Sequence, residues 1–172
     1  MKKIVALFAL ALLTSVAVIG YSIYEEIRKA ASDDPAVWEQ DIEALEASTM
    51  EPPPPKDAVL FVGSSSIRLW STLAEDMSPM PVIQHGFGGA KIEDVNYYAE
   101  RLITHWSAPK VVIFVGTNNI NGNENHASAP EIIREELSLL IETILAARAD
   151  TQIFYLPITP TIFSWDKWAS VR

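Results

Sequence analysis

The sequence predicts an α/β domain built on a parallel β-sheet. Short apolar runs alternate along the chain with segments in which apolar residues recur at helical spacing. The run at residues 110–115 is apolar on both faces, which is typical of a parallel strand covered by helices on both sides. Strands are therefore expected at residues 58–62, 81–84, 110–115 and 151–156, joined by right-handed crossovers. No internal repeat interrupts this order.

Three helices are expected between and after these strands. The helix after the first strand has as its inner face Ile67, Trp70, Ala74 and Met77. Residues 91–106 predict the next helix, with Val95, Ala99 and Leu102 facing inward. Residues 116–127 are expected to form a polar loop. Ser128 and Glu131, with Pro130 between them, form a capping-box start for a helix that continues through Ile133, Leu137, Leu140, Ile141 and Ile144.

The N-terminus carries a membrane-targeting pattern. Lys2 and Lys3 precede an uncharged, mostly apolar run from residue 4 to residue 24, close to the roughly 20 residues that span a bilayer. The lysines favour a cytoplasmic N-terminus and an exported body. The run is typical of a cleaved signal peptide or an uncleaved anchor. An anchor is favoured because Tyr21, Ile23 and Tyr24 prolong the apolar run beyond any small-residue cleavage site.

Residues 25–56 predict an acidic helix followed by a stiff connector. Asp34 and Pro35 are typical of a helix start, and Trp38, Ile42 and Leu45 then share one face. We interpret this helix as docking on the domain, with a partner-binding helix as the alternative. Pro52–Pro55 form an extended connector. The expected organisation is residues 1–24 as signal peptide or anchor, 25–56 as helix and connector, and 57–172 as the domain.

Composition narrows the functional classes. The 172 residues suffice for one domain, and the formal net charge is −9. An acidic chain argues against sequence-independent nucleic-acid binding, which needs lysine and arginine. The chain has no cysteine, so it offers neither a disulfide framework nor thiolate chemistry.

Three distinctive loops follow three of the expected strands. They are Gly63–Ser66, Gly86–Gly89 and Gly116–Asn119. Sites in open α/β sheets form outside the carboxyl ends of the strands, so the three loops are expected to converge. A serine, a glycine N–H and an asparagine amide together are what acyl transfer requires, because the serine attacks a carbonyl and the donors stabilise the oxyanion.

Each loop also has a simpler interpretation. The serines are good helix caps, glycine-rich turns are common after strands, and Asn118 could hold a turn. The glycine-rich loop fits neither a dinucleotide fingerprint nor a P-loop. The joint occurrence of the three loops, in this order, favours the site.

With these residues the chain resembles the SGNH (GDSL-type) family of esterases and lipases. Phe61–Trp70 is similar to a bacterial branch with serine where the Gly-Asp-Ser signature has aspartate, and the likeness runs from about residue 34 to the end, including 164–168. The resemblance implies a three-layer, flavodoxin-like sandwich. It implies Ser65 as nucleophile, with the N–H groups of Ser65 and Gly89 and the Asn118 amide as oxyanion donors. It implies an ester substrate (a small molecule, glycan or lipid) and no metal or other cofactor.

The sequence also departs from that family's pattern. The general base and its partner belong to an Asp-x-x-His block after a fifth strand, and no such block occurs in residues 1–172. The expectation is therefore a domain lacking its last strand and helix. Without a base the serine hydroxyl is a weak nucleophile. The oxyanion hole and substrate binding alone leave a rate enhancement of roughly 10³–10⁴-fold over water. Two alternatives are an ester- or glycan-binding protein without turnover and an anchored interaction module using the helix at 34–47.

The three histidines stand away from the position of the family's base, and one loop residue also departs from the family pattern. His85 is expected as a surface loop histidine beside the glycine-rich loop, and His105 near a helix end. His126 lies in the expected loop after the third strand. Asn119 stands where the family usually has aspartate. This departure leaves open what supports the loop that carries Asn118.

Overall fold

The computed structural model describes residues 2–121 and 130–158. The strands are β1 (Val59–Gly63), β2 (Val82–Gly86), β3 (Lys110–Phe114) and β4 (Gln152–Tyr155). The helices are α1 (Lys2–Ala30), α2 (Glu39–Thr49), α3 (Ser65–Arg68), α4 (Leu73–Asp76), α5 (Ile92–Tyr97), α6 (Ala99–Leu102), α7 (Thr117–Asn121) and α8 (Pro130–Ala147). Short 3-10 turns cover Pro35–Trp38 and Thr104–Trp106.

The four strands form one parallel sheet in the order β2-β1-β3-β4. One face packs against α2, α5, α6 and α8 around a large cluster that includes Leu60, Val62 and Ile113. The opposite face carries a smaller cluster of Val59, Phe61, Ile67 and Leu73. The predicted α/β class, the parallel sheet and the three layers are therefore confirmed, and each strand lies within one or two residues of its expected bounds.

Two expected helices are each broken into shorter pieces. The segment after β1 forms α3 and α4 with a gap between them, where Gln84 Nε2 donates to the carbonyls of Ile67 (2.6 Å) and Trp70 (3.0 Å). The segment 91–106 forms α5, α6 and a 3-10 turn. Trp106 Nε1 donates to the Arg101 carbonyl (2.8 Å), and His85 Nδ1 lies 2.7 Å from the Leu102 carbonyl. Gln84 thus stabilises the turn between α3 and α4, and the bonds to Arg101 and Leu102 lie where α6 ends.

The break changes one predicted core position. Ala74 is exposed, whereas Leu73, its neighbour, is buried. Val95, Ala99 and Leu102 are buried as predicted, and so are Leu140 and Ile144 of α8. The expected polar loop at 116–127 is wrong in its first part, because Thr117–Asn121 form α7. The rest of that loop, with His126 and the predicted cap at Ser128, lies outside the described residues.

The segment between α1 and β1 docks on the domain as predicted. Trp38 and Ile42 are buried, and Leu45 packs against the large cluster. Arg101 of α6 binds Glu39 and Glu46 of α2 at 2.6 Å each. The Tyr98 hydroxyl donates to the Pro35 carbonyl (3.0 Å). These contacts favour packing on the domain over a helix free for a partner.

The N-terminal helix α1 continues past residue 24 without a break. Its stretch Leu10–Ala30 has a mean hydropathy of 1.4 and contains no fully buried residue, so by length and composition it could cross a membrane. A signal sequence near an N-terminus meets the same criterion. The last turns of α1, after residue 24, contact the domain.

Candidate active site

Three strand ends meet at one edge of the sheet. The register pairs Gly63, at the end of β1, with Gly86 of β2 on one side and Phe114 of β3 on the other. The Phe87 amide donates to the Gly63 carbonyl (3.2 Å), and the Ser64 amide donates to the Phe114 carbonyl (3.2 Å). The loops that follow these three strands therefore start from adjacent positions, as the sequence suggested.

Ser65 is the first residue of α3, directly after β1. Ser64 precedes it with an extended backbone, at the N-cap position, and is buried. Ser65 is partly exposed, and Ser66 is exposed. A side chain at this position lies where a strand ends and free N–H groups of a helix begin. Within the described residues, no side chain is hydrogen-bonded to Ser65 Oγ.

The glycine-rich loop has a conformation that a larger residue would not adopt. Gly89 has φ +70°, in the left-handed region, and a Cβ there would lie 2.6 Å from Ala30 Cβ. Gly86 to Gly88 are buried, whereas Gly89 is partly exposed. Glycine at position 89 therefore serves both the turn and the close approach of α1.

The two asparagines of the third loop tie it to the glycine-rich loop. Asn118 Nδ2 donates to the Ala90 carbonyl (2.9 Å). Asn119 is buried; its Oδ1 accepts from the Ile92 amide (3.1 Å) and its Nδ2 donates to Glu93 (2.7 Å). Asn119 thus anchors α7 to the start of α5. These two bonds support the loop that carries Asn118 without an aspartate at position 119.

His85 is not the surface loop residue expected from the sequence. It lies in β2 and is fully buried, because its side chain faces the large cluster and packs against Trp106. Its Nδ1 lies 2.7 Å from the Leu102 carbonyl and its Nε2 lies 2.9 Å from Thr49 Oγ1. Burial lowers the pKa of His85, so the ring is held neutral. Both ring nitrogens are engaged away from Ser65.

The other predicted histidines do not supply a base within the described structure. His105 lies in the 3-10 turn that ends the α6 segment, beside Trp106, as expected. His126 lies outside the described residues. The described residues also contain no cluster of three or more histidine, aspartate or glutamate side chains that could hold a metal ion.

Sequence reasoning missed two buried ionisable residues next to the glycine-rich loop. Lys91 and Asp94 are 8% and 1% exposed. Lys91 Nζ donates to the Ser32 carbonyl (2.9 Å), and the Lys91 amide donates to Asp94 (2.9 Å). Burial raises the pKa of Asp94 to about 6, against the lowering effect of the Lys91 amide. The available signal in the sequence was the position of Asp94. A carboxylate three residues after a helix N-cap commonly accepts from the N-cap amide, as Asp94 does from Lys91.

A cleft of about 300 Å³ lies next to the glycine-rich loop. Its lining residues are Asp41, Ala44, Leu45, Ser48, Arg68, Gly86 and Phe87. Arg68 belongs to α3, three residues after Ser65, so the cleft borders the helix of the predicted nucleophile. Its lining combines apolar side chains with Asp41 and Arg68, and both of these charged groups are ion-paired with residues of α1.

Comparison with known proteins gives a likeness of fold. No family model and no curated protein matches the sequence. A Streptococcus pneumonia protein assigned as a platelet activating factor aligns with 92% of this chain and 67% of its own, at 14% identity and a TM-score of 0.62. A Parabacteroides merdae protein assigned as a GDSL-like lipase aligns with 58% of each chain (15% identity, TM-score 0.47). An acetyl xylan esterase aligns with 57% of this chain and 56% of its own (18% identity, TM-score 0.48). The chain thus spans little more than half of the last two, and it shares the α/β fold of the first.

Proposed function

We propose that this protein is a serine ester hydrolase that works through an acyl-enzyme on Ser65. The observation that carries the proposal is the register of Gly63 between Gly86 and Phe114, which brings the turn of Ser65 next to the loops of Gly89 and Asn118. Ser65 Oγ would attack the acyl carbonyl, and the alcohol would leave as the tetrahedral intermediate collapses. Water would then release the acid and restore the serine.

The oxyanion donors in this proposal are the N–H groups of Ser65 and Gly89 and the side-chain amide of Asn118. Asn118 uses one amide hydrogen on the Ala90 carbonyl, and an asparagine amide has a second one to give. Removing a single donor of this kind typically costs about 10²–10³ in rate. The shared contacts of Asn118 and Asn119 with residues 90–93 support a rigid arrangement of these donors.

The proposal assigns the nucleophile and the oxyanion donors to this chain but no general base. A second candidate function, binding of an ester or glycan without turnover, is favoured by one observation: no described histidine contacts Ser65. The substrate class in both cases is a small-molecule, glycan or lipid ester. We further propose that α1 anchors the protein in a membrane, with the domain on the exported side.

Labelling with a fluorophosphonate probe tests the proposal, because the probe reacts with activated serine hydroxyls. We expect Ser65→Ala to abolish labelling and Ser66→Ala, the exposed neighbour on the same helix, to retain it. Unchanged labelling of Ser65→Ala would refute the assignment. Absence of labelling in the unmodified protein, together with saturable binding of an acyl ester, would favour the binding function instead.

A further inference from the structure

The last turns of α1 form a docked segment beside the candidate site. Most described side chains before residue 25 are exposed, but Glu25, Glu26, Lys29 and Ala30 are partly buried. Their spacing is that of one helix face. The helix therefore has a free apolar part and a short charged part that contacts the domain.

Two ion pairs join the docked segment to the two charged residues that line the cleft. Glu26 Oε1 lies 3.1 Å from Arg68 Nη1, and Lys29 Nζ lies 2.5 Å from Asp41 Oδ2. Lys29 also lies over the Trp38 ring, 5.4 Å from its centroid. Because Arg68 belongs to α3 and Asp41 to α2, the end of α1 bridges helices on opposite faces of the sheet.

The same segment covers the glycine-rich loop. A Cβ at Gly88 would clash with Glu26 Oε2 and would lie 2.8 Å from Arg68 Cζ. A Cβ at Gly89 would lie 2.6 Å from Ala30 Cβ. Arg68 is thus held between Glu26 and the Gly88 backbone, one turn of helix after Ser65. The contact connects the turn of the nucleophile with the loop of the oxyanion donor.

We propose that Glu26 is a positioning residue of the acyl site: its ion pair with Arg68 holds the guanidinium against Gly88 and so fixes the loop that presents the Gly89 N–H. This inference rests on the proposed esterase function. Both partners are about one-third exposed, so solvent screens the pair and it adds little to overall stability. Its effect lies in geometry, because a donor misplaced by about 1 Å can cost about 10²-fold in rate.

The test compares Glu26→Gln with Glu25→Gln in the full chain in detergent micelles. Glu25 is the matched control, because it pairs with Arg28 on the same helix (2.7 Å) rather than with the domain. We expect Glu26→Gln to raise amide hydrogen exchange in residues 86–91 about tenfold and to slow fluorophosphonate labelling of Ser65 about tenfold. We expect Glu25→Gln to change neither, and both variants to keep the melting temperature within a few degrees.

A charge exchange completes the experiment. The double variant Glu26→Arg with Arg68→Glu should restore most of the exchange protection and of the labelling rate, which a loss of stability alone would not do. Equal exchange in Glu26→Gln and Glu25→Gln would overturn the proposal. If the unmodified protein takes no label, the esterase function fails, while the exchange data still decide whether Glu26 orders the loop.

Discussion

At the scale of single residues, burial decides the charge states near the candidate site. Asp94 is almost fully buried below the glycine-rich loop, and its pKa of about 6 exceeds the ordinary value of 3.8. A carboxyl with a raised folded pKa binds its proton more tightly in the folded protein than in the unfolded chain. Its contribution to stability is therefore present below about pH 4 and is lost as the pH rises through about 6.

Asp94→Asn removes this titration without changing the shape of the side chain. We expect the unfolding free energy of the native protein, relative to Asp94→Asn, to fall by about 2 kcal/mol between about pH 4 and pH 7. Urea denaturation at a series of pH values measures the difference. Asp150→Asn is the control of opposite sign, because Arg148 lowers the pKa of Asp150. A flat difference for Asp94→Asn would contradict the burial argument.

His85 shows why a buried histidine was misassigned from sequence. It lies beside the glycine-rich loop, and a strand that ended at Gln84 would leave it in a turn. The strand continues to Gly86, and period-two alternation sends the His85 side chain into the large cluster. Its partners, Thr49 and Leu102, come from distant segments, so no local pattern reports them.

At the scale of elements, strands were predictable and helix breaks were not. Apolar runs and glycines located β1 to β4, because burial on both faces leaves a local signature. The turn between α3 and α4 is held by Gln84, which comes from another element and which periodicity does not reveal. Convergence of the three loops followed from topology. The contact of α1 with Arg68 and Gly88 could not be predicted in this way, because it joins residues some 40 to 60 positions apart.

The docking of α2 depends chiefly on Trp38, which packs edge-on against Phe87 with ring centroids 5.4 Å apart. Trp38→Ala should lower the unfolding free energy by about 3–5 kcal/mol, because it leaves a large cavity in the core. Gln40→Ala, on the exposed side of the same segment, should change it by less than about 0.5 kcal/mol. Equal effects of the two variants in urea denaturation would show that α2 is not docked in solution.

At the scale of the whole molecule, two of the places where the described residues expose apolar side chains bear on how the protein is used. One is the free part of α1, where Leu12, Leu13 and Val18 are each at least 66% exposed. The other is β4, where Phe154, on the face of the smaller cluster, is 50% exposed within the described structure. By length and composition α1 fits a membrane-crossing helix, and a signal sequence near an N-terminus fits the same description.

The continuity of α1 favours retention of the N-terminal segment, which we propose as a membrane anchor. Cleavage near residue 24 would leave only about six residues of α1 to carry Glu26, Lys29 and Ala30, without the preceding turns that help to order them. We therefore expect the protein purified from membranes to yield the tryptic peptide from Ile4 to Arg28. Carbonate washing should leave the protein in the membrane fraction. Recovery of a soluble form whose first residue lies between about 20 and 26 would contradict retention. It would also require the contact between Glu26 and Arg68 to form without the preceding helix, which the Glu26→Gln exchange experiment on that form would reveal.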